Sequence, residues 1–289
     1  MSSYIIKGGN KLEGTVRISG SKNASLPIIA ATILNKGTTT LYNVPNIQDT
    51  QMMYEIIKLL GGKVQKKKNK VIINTSNINK YEIPDALMHK MRSSVIIVGS
   101  IVGRYKTATF TYPGGCEIGS RPIDLHLKAF EKLGIHINQN YGNITCNAEK
   151  IIGNKIDFDF PSVGATENAI LASILAEGKT TITNAAREPE IIDLQNFLNK
   201  MGAKIKGAGT NEIEIEGVKK LKEISYNVMP DRIESGTFLC LAAITGGKIK
   251  LEKTNPNHLT PIIAKLEEAG CEIKIQKEIT EIITMMMIS

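Results

Sequence analysis

A lone cysteine on a glycine-rich, positively charged loop is a candidate for thiol chemistry, and Tyr112–Leu125, "YPGGCEIGSRPIDL", has that make-up. Cys116 stands between a Pro-Gly-Gly turn and Arg121. A fixed cation beside a thiol favours the thiolate, so the thiol can give up a proton or attack an electrophile. Pro122 suits the first turn of a helix, where its missing N–H has no partner to lose. Asp124 falls in that turn, where the dipole favours an acid. No apolar strand pattern surrounds Cys116. Cys146, Cys240 and Cys271 lie in strand or helix patterns and read as small buried hydrophobes.

Three further stretches suit anions. "SGSKNASLP" puts Lys22 and Asn23 at a helix N-terminus, where free N–H groups, the dipole and an ammonium suit a phosphate or carboxylate. "PSVGATEN" puts Ser162, Val163 and Gly164 at another, where backbone amides can meet a diphosphate. "PDRIESG" carries Asp231 and Glu234 at capping-box spacing and reads as structural. Arg92, inside an otherwise apolar helix, needs either a carboxylate partner or an anionic ligand.

The elements that must position these groups repeat. "YEIIKLLGGKV", "HLKAFEKLGIHI", "LQNFLNKMGAKI" and "IIAKLEEAGCEI" are amphipathic helix ends that run into Gly61, Gly134, Gly202 and Gly270, at intervals of 73, 68 and 68 residues. A left-handed C-cap is wanted at each glycine. A second helix recurs with the same period: "KNASLPIIAATIL", "DALMHKMRSSVIIVGSIV", "SVGATENAILASILAEG" and "DRIESGTFLCLAAITGG". These four are apolar nearly all round, which predicts burial. Each unit reads as strand, buried helix, strand, outer helix, strand, strand, so four units account for the chain. The class is α/β, with the buried helices at the centre and the sheets around them.

The 289 residues are 42% apolar, enough for a sizeable core. The net charge of +8 fits anionic partners. With 5% aromatics and no Trp, nucleic acid is disfavoured. The run "KKKNK", Lys66 to Lys70, reads as a solvated hairpin tip. No apolar run approaches the roughly 20 residues that span a bilayer. The N-terminus has no signal-peptide pattern. The four cysteines have no metal-site spacing. Free thiols in a reducing cytoplasm are expected.

The stretches "ISGSKNASLP", "YPGGCEIGSRPIDLHL", "SVGATENAI", "AREPEIIDL" and "MPDRIESGTF" together resemble the UDP-N-acetylglucosamine 1-carboxyvinyltransferases, the enolpyruvyl transferases that open peptidoglycan synthesis. The resemblance implies an inside-out α/β barrel of repeated βαβαββ units, of which four of the family's six are present. It implies one domain over 22–229 and a second built from 1–21 plus 230–289. The substrates implied are phosphoenolpyruvate and UDP-N-acetylglucosamine, with no cofactor and no metal. Enolpyruvate passes to the sugar 3-hydroxyl and phosphate is released. By the same resemblance Cys116 is the proton donor, on a loop that closes as a lid. Lys22, Asn23 and Arg121 hold phosphoenolpyruvate. Arg92, the strip Arg121, Pro122, Ile123, Asp124 and Leu125, and the strip Ser162, Val163 and Gly164 hold the sugar nucleotide. Phe160 stands where some members carry a lysine.

The closing "MMMIS" is apolar and uncapped, which reads as a chain cut short or shifted out of frame. The family continues for roughly 130 more residues. Its proton-accepting aspartate has no counterpart here, so turnover in isolation is expected to be very low or absent, with sugar-nucleotide binding at least partly retained. Two alternatives stay open: a non-catalytic UDP-sugar-binding homologue, and the shikimate-pathway enolpyruvyl transferase. The cysteine loop argues against the second.

Overall fold

The computed structural model describes residues 3–89, 92–114, 122–276 and 279–284. The chain divides into two compact units, one of Lys22–Val228 and one joining Met1–Ser21 to Met229–Ser289. Along the chain, β1 (Glu13–Arg17) precedes α1 (Lys22–Ala31), β2 (Thr38–Tyr42), α2 (Gln48–Leu59), β3 (Lys63–Lys67) and β4 (Lys70–Asn74). The second repeat has α3 (Asp85–Met88), α4 (Ile96–Tyr105), β5 (Thr107–Thr111), α5 (Asp124–Lys132), β6 (His136–Asn140) and β7 (Asn143–Asn147). The third has β8 (Lys155–Asp157), α6 (Val163–Ser173), β9 (Lys179–Thr183), α7 (Pro189–Met201), β10 (Lys204–Lys206) and β11 (Glu212–Glu216). The fourth has β12 (Ile224–Asn227), α8 (Arg232–Thr245), β13 (Lys248–Glu252), α9 (Thr260–Glu268), β14 (Cys271–Gln276) and β15 (Ile279–Thr284).

Each repeat supplies one sheet. The sheet orders are β12-β2-β4-β3, β5-β7-β6, β10-β11-β9-β8 and β1-β13-β15-β14. In three of them a parallel pair precedes an antiparallel run, as Ile224↔Thr39, Ile156↔Ile182 and Val16↔Leu251 show. In the second sheet an isolated parallel bridge, Glu82↔Thr109, takes that place. The sequence order alone would give β1 to the first repeat and β12 to the fourth. They are exchanged: β1 pairs with β13 and β12 with β2.

The four repeat glycines all have positive φ: Gly61 at 105°, Gly134 at 81°, Gly202 at 104° and Gly270 at 88°. A residue with a Cβ is strained there, which is why the period was visible as glycine. Lys68 and Asn69 lie between β3 and β4, so the lysine run is a hairpin tip. Its neighbour hairpin, β6 to β7, turns on Tyr141 and Gly142 with φ of 49° and 81°, the two positive values of a type I′ turn. Alternate residues of the strands point inward and are buried, among them Leu41, Ile73, Phe110, Ile144, Cys146, Ile182 and Ile215. Burial pushes the Cys146 thiol up to about 12, leaving it protonated and inert.

In the larger unit, α1, α4 and α6 pack on one another or on a shared neighbour, and nearly every residue of each is buried. α4 and α6 approach closely because α4 has glycines where they meet. A Cβ on Gly99 would lie 2.5 Å from Asn168 Oδ1 and 2.7 Å from the Asn168 carbonyl oxygen. One on Gly103 would lie 2.9 Å from the Leu171 carbonyl oxygen. Asn168 seals the contact: its Oδ1 accepts from Gly99 N at 2.8 Å and its Nδ2 donates to Val95 O at 2.9 Å.

Three expectations need correction. The apolar segment from Asp85 is not one helix: α3 is a single turn, and Arg92 begins a separate 3-10 turn, Arg92–Val95, ahead of α4. Ser94 Oγ donates to the Met88 carbonyl at 3.3 Å, which satisfies the end of α3 without helix continuing through it. Glu234 does not complete a capping box. Asp231 caps α8 by accepting from Ile233 N and Glu234 N, but the Glu234 carboxylate accepts from Ser19 N and Ser19 Oγ instead.

The third correction concerns α8, which is not buried as its counterparts are. Within its own unit it packs on β13, β15 and α9. Ile233 is 52% and Ile244 71% exposed, and Cys240, expected to be buried, is exposed. These side chains and Leu241, Pro261 and Ile262 line a groove of about 630 Å³.

Glu167 is the acid buried deepest on α6, at 2% exposed. Burial first, then the charges of Glu190 and Glu188, pushes its carboxyl well above the usual range, so it keeps its proton to higher pH than a solvated carboxyl. The folded chain therefore holds a proton that the unfolded chain releases above roughly pH 4.3. Stability from this group falls as pH rises from that value, by at most about 1.4 kcal/mol per pH unit. Urea midpoints at pH 5 and pH 8 should show E167Q gaining on the unsubstituted chain as pH rises; parallel behaviour would contradict a protonated Glu167. For Gly99→Ala, helix propensity alone favours alanine by about 1 kcal/mol. The clash with Asn168 should reverse that to a net loss of about 1–2 kcal/mol in the same measurement.

Candidate functional site

The three inner helices run parallel. Gly99 of α4 lies against Asn168 of α6, and Gly103, one turn later, against Leu171 and Ala172. At the far end Arg104 collects the last carbonyls: Nη1 donates to Ile33 O at 2.7 Å, Asn35 O at 3.4 Å and Thr75 O at 3.0 Å. Those oxygens sit just past α1 and at the end of β4, so α1 and α4 finish together. The C-terminal, negative ends of the dipoles thus meet a guanidinium, and the positive ends share the opposite side. Partial burial lowers the Arg104 pKa, with the Tyr105 phenol acting against that shift.

The positive end is where the sequence-derived residues of this unit gather. Lys22 and Asn23 open α1 and are exposed. Lys22 Nζ meets Asp49 Oδ2 of α2 at 2.9 Å. A half-exposed pair of this kind is worth only about 0–1 kcal/mol, so an incoming anion can compete for the ammonium. Ser162 caps α6, its Oγ accepting from Ala165 N at 3.4 Å, and Val163 and Gly164 form the first turn. Pro122 is exposed, Ile123 is buried and precedes α5, and Asp124 and Leu125 begin it. Arg92 opens the 3-10 turn whose last residue, Val95, accepts from Asn168. The side chain of Arg92, and Cys116 and Arg121 entirely, lie outside the described residues.

One contact joins the strips at 122–125 and 162–164. His126, in the first turn of α5 and 7% exposed, meets Asn168 Nδ2 through Nδ1 at 2.7 Å. Its ring packs on Gly164: Cε1 and Nε2 lie 3.1 and 3.4 Å from where a Gly164 Cβ would stand. Neither His126 nor Asn168 was assigned a role from sequence. Both sit inside stretches picked out for other residues, and the one available signal is Asn168, a polar residue on a helix otherwise reading as apolar. The "AREPEIIDL" stretch starts α7 and is tied to α6 where Ala186 N donates to Thr166 Oγ1 at 3.1 Å.

Among the described residues no cluster of His, Cys, Asp and Glu could hold a metal ion. No described helix is long and apolar enough to cross a membrane.

A family model described as EPSP synthase (3-phosphoshikimate 1-carboxyvinyltransferase) matches residues 6–288. The UDP-N-acetylglucosamine 1-carboxyvinyltransferase 2 of Caldanaerobacter subterraneus subsp. tengcongensis is 51% identical over 274 residues, covering 95% of this chain and 66% of the relative. That of Clostridium tetani is 50% identical over 275 residues, covering 94% and 66%. The chain thus spans slightly under two thirds of the length of these relatives. Among solved structures, the enolpyruvyl transferase NikO from Streptomyces tendae superimposes with a TM-score of 0.84 at 21% identity, covering 96% of this chain and 66% of that one. An EPSP synthase from Acinetobacter baumannii gives a TM-score of 0.72 at 22% identity, covering 96% and 65%. The inside-out α/β architecture that the resemblance implies is the fold of these transferases. On the match over residues 6–288, the chain belongs to the EPSP synthase (3-phosphoshikimate 1-carboxyvinyltransferase) family.

Proposed function

We propose that this chain carries the substrate-binding face of an enolpyruvyl transferase that moves enolpyruvate from phosphoenolpyruvate to the 3-hydroxyl of UDP-N-acetylglucosamine with release of phosphate, the committed entry to peptidoglycan synthesis in the cytoplasm. The observation that carries it is the common positive end of parallel inner helices, where Lys22–Asn23, Pro122–Leu125 and Ser162–Gly164 present side chains and amides to anions. Support for the sugar nucleotide over a shikimate ester comes from the relatives at about half identity, whose names carry it, and from the "PGGCEIGSRPID" loop.

In this proposal 22–228 is the domain that binds the sugar nucleotide, and 1–21 with 229–289 belongs to the opposite domain. Cys116 gives a proton to C3 of phosphoenolpyruvate, C2 becomes electrophilic, and the sugar hydroxyl adds there as its proton passes to a carboxylate, the role the resemblance gives to an aspartate without a counterpart in this chain. Loss of phosphate from the tetrahedral ketal, with a C3 proton returning to the Cys116 thiolate, then yields the product. Lys22, Asn23 and Arg121 hold the phosphate ester, Arg121 bidentately. Arg92 and the strip 162–164 hold the nucleotide side. A second reading, a UDP-sugar-binding chain without turnover, shares the whole binding face and differs in that the Cys116 thiol takes no part in chemistry.

Alkylation with peptide mapping tests this, because it separates Cys116 from the exposed Cys240. UDP-N-acetylglucosamine should slow modification of Cys116 and leave Cys240 unaffected, while shikimate 3-phosphate should protect neither. Protection by the shikimate ester alone would overturn the substrate assignment. Lys22→Ala should weaken phosphoenolpyruvate binding by roughly tenfold or more in calorimetry, the loss of one charged hydrogen bond.

A further inference from the structure

Asn168 decides which nitrogen of His126 carries the hydrogen. Its Oδ1 accepts from Gly99 N at 2.8 Å, and a backbone N–H requires an oxygen there. The other end of the amide is therefore the NH₂ group. One of its hydrogens goes to Val95 O at 2.9 Å and the second points to His126 Nδ1 at 2.7 Å. With both hydrogens used as donors, Nδ1 must accept, and a neutral imidazole that accepts at Nδ1 carries its hydrogen on Nε2. Nε2 and Cε1 are the ring atoms that lie against Gly164, in the first turn of α6.

We propose that His126, locked by Asn168 as the Nε2–H tautomer, is a positioning residue. It holds the first turn of α5 against the first turn of α6 and presents a hydrogen-bearing edge beside Gly164, so that the Ser162–Gly164 amides stay aimed at a diphosphate. The diphosphate comes from the sugar-nucleotide proposal above; the tautomer does not depend on it. Three features converge on the site. Asn168 makes three hydrogen bonds that fix its orientation. Gly99 lacks a Cβ where Asn168 approaches and Gly164 where His126 does: a Cβ there would lie 2.5 Å from Asn168 Oδ1 and 3.1 Å from His126 Cε1, respectively. The ring is nearly buried, so its two nitrogens do not exchange roles through bulk water. Ser162 capping alone would fix the start of α6 but not its distance from α5.

Two measurements test it on the full chain. Long-range ¹H–¹⁵N correlation on histidine-labelled protein should show His126 with an unprotonated Nδ1 and a protonated Nε2. A protonated Nδ1, or an averaged pair, would overturn the proposal whether or not any ligand binds. Calorimetry with UDP-N-acetylglucosamine then compares two substitutions. His126→Gln keeps an N–H near the Nε2 position and should bind within about threefold of the unsubstituted chain. His126→Asn keeps an acceptor for Asn168 but places nothing beside Gly164, and should lose roughly tenfold. Equal affinities, or the reverse order, would reduce His126 to packing. If the unsubstituted chain binds no sugar nucleotide, the failure lies with the substrate assignment, and the nitrogen spectrum alone decides the role of His126.

Discussion

The close approach of α4 to α6 governs the arrangement of the larger unit. Two helix backbones can run this near only where one of them has no Cβ, and Gly99 and Gly103 provide that along one face of α4. The price is polar: backbone at this depth needs partners, since an unpaired buried group costs about 1–3 kcal/mol. Asn168 answers with a bifunctional side chain that takes the Gly99 hydrogen and supplies one to Val95. Because the contact is parallel, it also sends like ends of the dipoles the same way. Arg104 closes the negative end by collecting carbonyls that follow α1 and β4. The opposite end is left electropositive and lined by backbone amides, chemistry that suits an anion.

Much of the architecture was legible because its signals are local. Positive φ at a helix end selects glycine, so Gly61, Gly134, Gly202 and Gly270 mark the repeat whatever surrounds them. The lysine run at 66–70 is readable as a tip because a dense run of charge after a strand pattern demands solvent. What local signals leave out is set by distant partners. β1 and β12 have the same strand character in either sheet, and nothing within either strand tells Val16 to face Leu251 or Ile224 to face Thr39; only the family resemblance, which joins 1–21 to 230–289, separates them. The burial of α8 was over-read, because an apolar sequence states a demand for cover and not its supply. Ile233 and Ile244 remain in water among the described residues. Glu234 was assigned to a cap by spacing, but Ser19, far away in sequence, offered a second pair of donors.

For the site, residue type and position were readable and mutual geometry was not. Helices open at Lys22, Asp124 and Val163, close to where the sequence places them; Ser162 caps the last with its side chain, Ile123 gives α5 no such cap, and Pro122 lies just ahead of α5 rather than in its first turn. That His126 would bridge two of those starts depends on a hydrogen bond between residues 42 positions apart. Periodicity assigns both to helix faces and cannot say that the faces meet. Glu167 illustrates the same limit: its raised pKa comes from burial beside Glu190 and Glu188, a property of two helix starts brought together rather than of the "ATEN" stretch.

The exchange of β1 and β12 bears on how a ribosome-bound chain can acquire this structure. The strand at 13–17 leaves the exit tunnel long before its parallel neighbour at 248–252, so it must wait for the residues between them to be made. The sheet begun by β2 likewise lacks its outer strand until 224–227 has been synthesised. Such long sequence separations raise contact order and slow folding. Until then the β2 edge offers unpaired amides and carbonyls to any passing strand, the condition under which nascent chains mispair or recruit a chaperone.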